Sequence, residues 1–277
     1  MRVLFFGDIV GKGGRKAVAS ILPKLRKKHK PDLVVANGEN LAHGKGVTLK
    51  TFEELLNVGV DFFTSGNHVF DKPEIVQVFE KYPDKIIRPS NFQGKLTDGS
   101  DLPGAGFAVI DVKGVPVLMI NLNGQVFMEK QFDFGQVTNP FLELNKILSE
   151  HGGKAVIKIV DFHAEATSEK RGMGIWCDGR VSALIGSHTH VQTADAQILP
   201  QGTGYLTDVG MVGAADSVIG TKSEGAIKRL MADPASPTKI PLEVDEGDKF
   251  EIGYVVLEID SQTSKCQNID SQLIWIK

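Results

Sequence analysis

Phe62-Phe63-Thr64-Ser65-Gly66-Asn67-His68 is a short β-favouring run that ends in a small polar turn, an amide and an imidazole. Two earlier segments repeat the arrangement. Arg2 to Phe6 reads as a strand and is followed by Gly7-Asp8; Leu33 to Ala36 reads as another and is followed by Gly38-Glu39-Asn40. Between the first two lies a Gly-rich turn, Gly11-Lys12-Gly13-Gly14, leading into a helix whose Val18, Ile21, Leu22 and Leu25 share one face. A second helix covers about Leu49 to Asn57. Three βαβ-like units therefore each present polar groups at the C-terminal end of a strand, where sites form in open α/β sheets.

After this the pattern changes. Phe107 to Asp111 and Val115 to Asn121 flank Val112-Lys113-Gly114 and predict a hairpin. A helix is expected around Pro140 to Glu150, with strands at Ala155 to Val160, Ser182 to Ile185, Gln197 to Leu199 and Gly204 to Leu206. Gly253 to Ile259 and Gln272 to Ile276 make the last third β-rich. The coarse expectation is a mixed α/β layered fold, βαβ in the first half and antiparallel later.

The 277 residues admit one large α/β domain as readily as two small ones. A hydrophobic share of 42% and a charged share of 23% are ordinary for a globular chain. Its 31 basic and 34 acidic residues leave a formal net charge of −3, which is no electrostatic footprint for nucleic acid or an anionic membrane. The basic run Lys24, Arg26, Lys27, Lys28 and Lys30 reads as a solvated helix face. No apolar stretch is long enough to span a bilayer. No signal peptide precedes Asp8, and two cysteines make no disulfide framework, so a cytoplasmic location is expected.

The chemistry lies in one ordered set: Asp8, Glu39, Asn40, Asn67, His163, His188 and His190 as metal ligands, with His68 beside them. Asp8 and Glu39 supply anionic oxygens, and a carboxylate with two oxygens bridges two cations. In His188-Thr189-His190, read as strand, the two rings point to the same side. Mixed nitrogen and oxygen donors suit iron, manganese, zinc or cobalt better than calcium. Two divalent cations and a bridging hydroxide set against two carboxylates leave a net positive site that favours an anionic phosphate. The expectation is a two-metal hydrolase in which hydroxide is generated near neutral pH and attacks in line at phosphorus. His68 then serves as general acid to the leaving alkoxide. Because metals depress its pKa, a carboxylate partner is expected, with Asp71 and Asp161 the candidates.

Taken singly, each piece has an ordinary reading as a turn, a polar loop or a core histidine; their order and placement at successive strand ends carry the argument. His29, His43 and His151 are left outside the site, and Cys177 reads as a packing residue. Arg88-Pro89-Ser90-Asn91 and Ser168-Glu169-Lys170-Arg171 are candidate substrate contacts, with Lys170 and Arg171 read as surface charge.

The set Gly7-Asp8, Glu39-Asn40, Gly66-Asn67-His68, His163 and Gly186-Ser187-His188-Thr189-His190 resembles the calcineurin-like metallophosphoesterases over nearly the whole chain, and most of all their bacterial YmdB-like branch. Asn37-Gly38-Glu39-Asn40, Asp161-Phe162-His163-Ala164-Glu165 and Ser187 to Asp195 carry the branch likeness. The superfamily usually has Asp-x-His where this chain has Asp8-Ile9-Val10, and a bridging Asp where it has Glu39; the branch shares both departures. The resemblance implies a four-layer α/β/β/α sandwich with two mixed sheets, one domain over 1–277, and iron-type or manganese metals. One metal would take Asp8, Glu39, Asn40 and His190, and the other Glu39, Asn67, His163 and His188. It further implies phosphodiesterase action on cyclic nucleotides, 2′,3′ or 3′,5′, and a homo-oligomer. The competing expectations are a phosphomonoesterase, such as a nucleotidase or protein phosphatase, and a regulatory nucleotide-binding protein with little turnover.

Overall fold

Leu4 and Phe6 pack on one side of the first strand, Val3 and Phe5 on the other, and all four are wholly buried. A strand that is apolar on both faces must be covered on both, and this one requirement sets the layers. The computed structural model describes residues 1–128, 132–232 and 240–277. In chain order its first half runs β1 (Arg2–Ile9), α1 (Gly11–His29), β2 (Leu33–Asn37), α2 (Leu49–Val58), β3 (Phe62–Thr64), α3 (Ile75–Lys81), β4 (Phe92–Gly94), β5 (Phe107–Val112) and β6 (Val115–Asn123). There follow β7 (Gly135–Val137), α4 (Pro140–His151), β8 (Ile157–His163), α5 (Thr167–Trp176), β9 (Ala183–Ser187), β10 (Gln197–Ile198), β11 (Gly204–Leu206), β12 (Met211–Ala214), α6 (Ser223–Leu230), β13 (Phe250–Ile259) and β14 (Cys266–Ile276).

Among the described residues the strands form two six-stranded sheets, ordered β14-β13-β12-β1-β2-β3 and β10-β11-β9-β8-β6-β5, and a β4-β7 ribbon. Each large sheet is mixed. The first holds β12, β1, β2 and β3 parallel, with β13 antiparallel to β1 and β12, and β14 antiparallel to β13. The second holds β6, β8, β9 and β11 parallel, with antiparallel β5 and β10 at its edges. Val3, Phe5, Val35 and Leu257 of the first sheet share a core with Met119, Ile159, Ala183 and Ile185 of the second. On the far side of the first sheet, Leu4, Phe6, Ala36 and Phe63 meet Val18, Leu22, Phe52 and Leu55 of α1 and α2. On the far side of the second, Ile120, Val160 and Leu184 meet Leu144 and Ile147 of α4 and Met173 of α5. The result is the expected helix–sheet–sheet–helix sandwich, each central side chain contributing about 1.5–3 kcal/mol by leaving water.

Local rules explain the best-read elements. Thr48 and Thr51 form a reciprocal capping box at the start of α2, and Gly59, at φ 107°, ends it in the left-handed conformation. Asn139 accepts from the amides of Phe141 and Leu142 ahead of Pro140 at the start of α4.

The structure corrects the sequence reading in three places. Gly11 to Gly14 is the first turn of α1, where Gly14 lets the helix approach β12, a Cβ there falling 2.3 Å from Val212 O. The second half is mixed rather than simply antiparallel: β6-α4-β8-α5-β9 is another parallel βαβαβ unit, while the β5–β6 hairpin, β10 and the β12-β13-β14 run pair antiparallel as expected. Short or Gly-interrupted elements (α3, α5, α6 and β12 among them) lie where no element was expected. Among the described residues no helix is long and apolar enough to cross a membrane.

The central core makes a stability prediction. Phe5→Ala should cost about 3–5 kcal/mol in urea unfolding, by lost transfer energy and an unfilled cavity. Val109→Ala, at a position 43% exposed on edge strand β5, should cost less than about 1 kcal/mol.

Candidate metal centre

The parallel strands bring the predicted residues to one edge of the sandwich. In the first sheet Asp8, Asn37 and Thr64 stand in register across β1, β2 and β3. In the second, Asn123, His163 and Ser187 do so across β6, β8 and β9. Asp8 and His163 lie on their strands, while Glu39, Asn40, Asn67, His188 and His190 follow directly after β2, β3 and β9.

Asp8, Glu39, Asn40, Asn67 and His163 are all buried. His163 Nε2 faces three acceptors at once: Asn67 Oδ1 at 3.0 Å, His188 Nδ1 at 3.1 Å and Glu39 Oε2 at 3.2 Å. A single ring proton cannot serve three partners, so lone pairs converge on one point. Beside it, the Asn40 amide lies 3.0 Å from Glu39 Oε1 and 3.2 Å from His190 Nε2, and half a turn about its last bond presents its oxygen there instead. Asp8 Oδ2 accepts from the His188 amide at 3.1 Å. Among the described residues Asp8 Oδ1 is buried with no hydrogen-bond partner. Two donor groups result, Glu39–His163–His188 and Asp8–Glu39–His190, each with its ligand atoms within 4.8 Å of one another. Glu39 belongs to both.

The surroundings fix these donors. His163 Nδ1 lies 3.0 Å from Ser187 Oγ, which donates to Asp161 Oδ1 at 2.6 Å. Asn37 Nδ2 and Thr64 Oγ1 donate to the other oxygen of Asp161. His190 Nδ1 pairs with Ile219 O at 2.9 Å, which turns Nε2 toward the cluster. Asn37 Oδ1 accepts from the Glu39 amide, and Glu39 Oε2 from the His68 amide. The ring of His68 reaches Asp71 Oδ2 through Nδ1 at 2.9 Å, leaving Nε2 for the cleft. That cleft, about 300 Å³, is lined by Lys45, His68, Glu165, Thr189 and Leu242 as well as by the donors Glu39, Asn40, His188 and His190.

Electrostatics describe a cluster short of positive charge. Burial pulls His163 down, but the carboxylates of Glu39, Asp8 and Asp161 outweigh it and hold the imidazole at about 9. Burial and the neighbouring His163 push His188 down to about 2. Burial raises Asp8 against the pull of His190 and His163. Burial also raises Glu39, but the histidines overcome it and hold its carboxyl far below the usual range. Burial pushes Asp161 up to about 6. His68 loses to burial but gains more from Asp71 and Glu39, and stands raised. A cation bound by these donors would take the place of the proton held at His163.

Every ligand candidate named from the sequence is brought together here, by a route that differs for one pair. β9 ends at Ser187, so His188 and His190 lie in a turn, at φ 99° and 64°. Backbone strain, rather than strand alternation, aims the two rings. Asp71 is the partner of His68; Asp161 supports His163 instead. Asn91 is buried and Arg88 bonds Pro103 O and Pro89 O, so neither serves the cleft. Lys170 is wholly buried, not surface charge, whereas Arg171 is exposed. Asn37 and Ser187 were missed, although each sits within two residues of a ligand. Cys177 is buried among apolar side chains and pushed up to about 12, a packing residue as expected.

Two mixed sheets packed face to face, with carboxylates, amides and imidazoles at their parallel strand ends, define a metallophosphoesterase. The calcineurin-like phosphoesterase YfkN from Bacillus subtilis shares the fold at TM-score 0.54 and 14% identity, covering 99% of this chain and 90% of that one. The model of the YmdB-like protein family matches residues 4–271, and the chain belongs to that family. The 2′,3′-cyclic-nucleotide 2′-phosphodiesterase of Bacillus subtilis is 43% identical, over 99% of this chain and 97% of its own. A crystal structure described as a novel phosphatase from Mycoplasma pneumoniae matches at TM-score 0.88 and 34% identity, covering 99% of this chain and 93% of that one.

Gly66 tests the geometry. A Cβ there falls 2.3 Å from both Glu39 Oε2 and His163 Nε2. Gly66→Ala should therefore lower the metal retained per chain after loading with Mn²⁺ and desalting, read by elemental analysis, while far-UV circular dichroism stays that of wild type.

Proposed function

We propose that this chain hydrolyses small phosphodiesters, cyclic nucleotides foremost, with two transition-metal ions and His68 as general acid. The observation that carries the reading is the convergence of lone pairs on two adjoining points that share Glu39. Asp8, Glu39, Asn40 and His190 would hold one cation, and Glu39, Asn67, His163 and His188 the other. Nitrogen and oxygen donors together favour iron, as the family likeness implies, with manganese, zinc or cobalt as substitutes. What such a pair supplies is Lewis acidity: a water nucleophile at neutral pH and neutralised charge at phosphorus. The name of the 43% identical relative favours a 2′,3′-cyclic substrate over a 3′,5′-cyclic one.

The protein's own part is positioning and proton transfer. Asp71 accepts from the Nδ1 proton of His68, orients the ring and favours its imidazolium form, whose Nε2 proton would pass to a leaving alkoxide. Both carboxylates of the cluster are sealed from water at one edge of the sandwich, which strengthens their hold on cations. We take residues 1–277 as one domain, because both sheets bury the same central core. Buried, unpaired Cys177 and Cys266 fit a reducing compartment, and the reading includes a cytoplasmic enzyme that assembles as a homo-oligomer.

Bis-p-nitrophenyl phosphate beside p-nitrophenyl phosphate, with added Mn²⁺, decides the reaction. Diester turnover in wild type that falls more than about a hundredfold in Glu39→Gln is the expected result. Monoester turnover alone makes the protein a phosphatase, and tight nucleotide binding without turnover makes it a binding protein. For His68→Ala we expect a loss of about 10²–10⁴ in kcat on a cyclic nucleotide, whose alkoxide needs a proton. The same variant should lose far less on the nitrophenyl diester. Equal losses on both substrates remove His68 from the acid role.

A further inference from the structure

Lys170 and Asp208 form a wholly buried ion pair 38 residues apart, and neither is among the metal donors. Lys170 Nζ, from α5, donates to Asp208 Oδ2 at 2.5 Å and to Ser187 O at 2.7 Å. The same Oδ2 accepts from the Thr189 amide at 3.1 Å, and Oδ1 from the Gly210 amide at 2.8 Å. Gly210 O in turn accepts from the Asp8 amide at 3.1 Å. Thr193 closes the far side, its amide donating to Asp208 O and its hydroxyl accepting from the Asp208 amide. One carboxylate thus holds the peptide between His188 and His190 and, through Gly210, the backbone of Asp8.

That support is needed because both histidines occupy the left-handed region, at φ 99° and 64°, which residues with a Cβ adopt only under constraint from their surroundings. A buried ion pair is seldom a net source of stability, since desolvation cancels much of its attraction. Its location, under three donors drawn from both sheets, gives it another use. We propose that Lys170 and Asp208 are positioning residues that hold the His188-Thr189-His190 turn and Asp8 in the geometry that binds cations. The proposal rests on the metal reading above.

The test compares Asp208→Asn and Lys170→Met/Asp208→Asn with a control, Leu22→Ala, which cuts into the core between α1 and the first sheet, on the far side of the sandwich from α5. The double variant removes both buried charges together and so leaves none uncompensated. Calorimetric titration of chelator-stripped protein with Mn²⁺ gives affinity, and thermal unfolding without metal gives stability. The expected result is affinity about tenfold to a hundredfold weaker in both pair variants. Leu22→Ala should bind within about twofold of wild type even where its melting temperature falls as far. Wild-type affinity in a folded pair variant overturns the proposal, as does an equal affinity loss in Leu22→Ala. Wild-type protein that takes up no Mn²⁺, Zn²⁺ or Co²⁺ overturns the metal reading itself, and the proposal with it.

Discussion

Two carboxylates, Asp8 and Glu39, are buried side by side, and among the described residues their ion-pair partners are imidazoles alone. Charge taken out of water in this way must be compensated locally. Without metal, one proton at His163 does part of that work, and burial together with that charge pushes His188 down. The buried lysine nearby cannot help, because it is spent on Asp208. The centre thus fits the proposed completion by cations, and the rest of the structure holds its donors in place.

Two parallel βαβαβ units supply that means. Parallel strands end on the same side, so a sheet of three of them delivers three polar ends to one edge. Packing two such sheets face to face puts Asp8, Glu39 and Asn67 from one opposite His163, His188 and His190 from the other. The central core between the sheets is thus also what sets the distance between donors. Precision comes from neighbours outside the donor set: Ser187 and Asp161 behind His163, Ile219 O behind His190, Asp71 behind His68. Such partners fix ring tautomer and orientation, on which ligand strength depends.

How much of this could be read beforehand depended on how local the signal was. Phe62–Thr64 and Gly204–Leu206 were placed to the residue, and the first helices to within a turn, because their periodicity and capping chemistry are contained in a dozen residues. Helix α5 was missed because Gly172 and Gly174 weaken its helical signal. Its glycine is nonetheless required, since a Cβ at Gly174 meets the Tyr205 ring at 2.3 Å. Strand β12 has four residues and is buried on both faces, so it shows no alternation to detect. The parallel course of β8 and β9 was hidden for a like reason, since β9 is buried throughout and β8 nearly so, and neither shows an exposed alternate face.

The donors themselves were legible from the chain alone, since ligand chemistry is a property of residue type and their placement at strand ends is a property of local pattern. Asp8, Glu39, Asn40, Asn67, His163, His188 and His190 needed no coordinates to be named as candidates, nor did His68 beside them. Only the tertiary structure decided which groups steady them. Asp71 rather than Asp161 serves His68, and Lys170 leaves the surface for the interior to meet Asp208. It also decided that His188 and His190 act from a strained turn and not from a strand. Those choices depend on hydrogen bonds and charges between segments far apart in sequence, and no local pattern encodes the distance between two packed sheets.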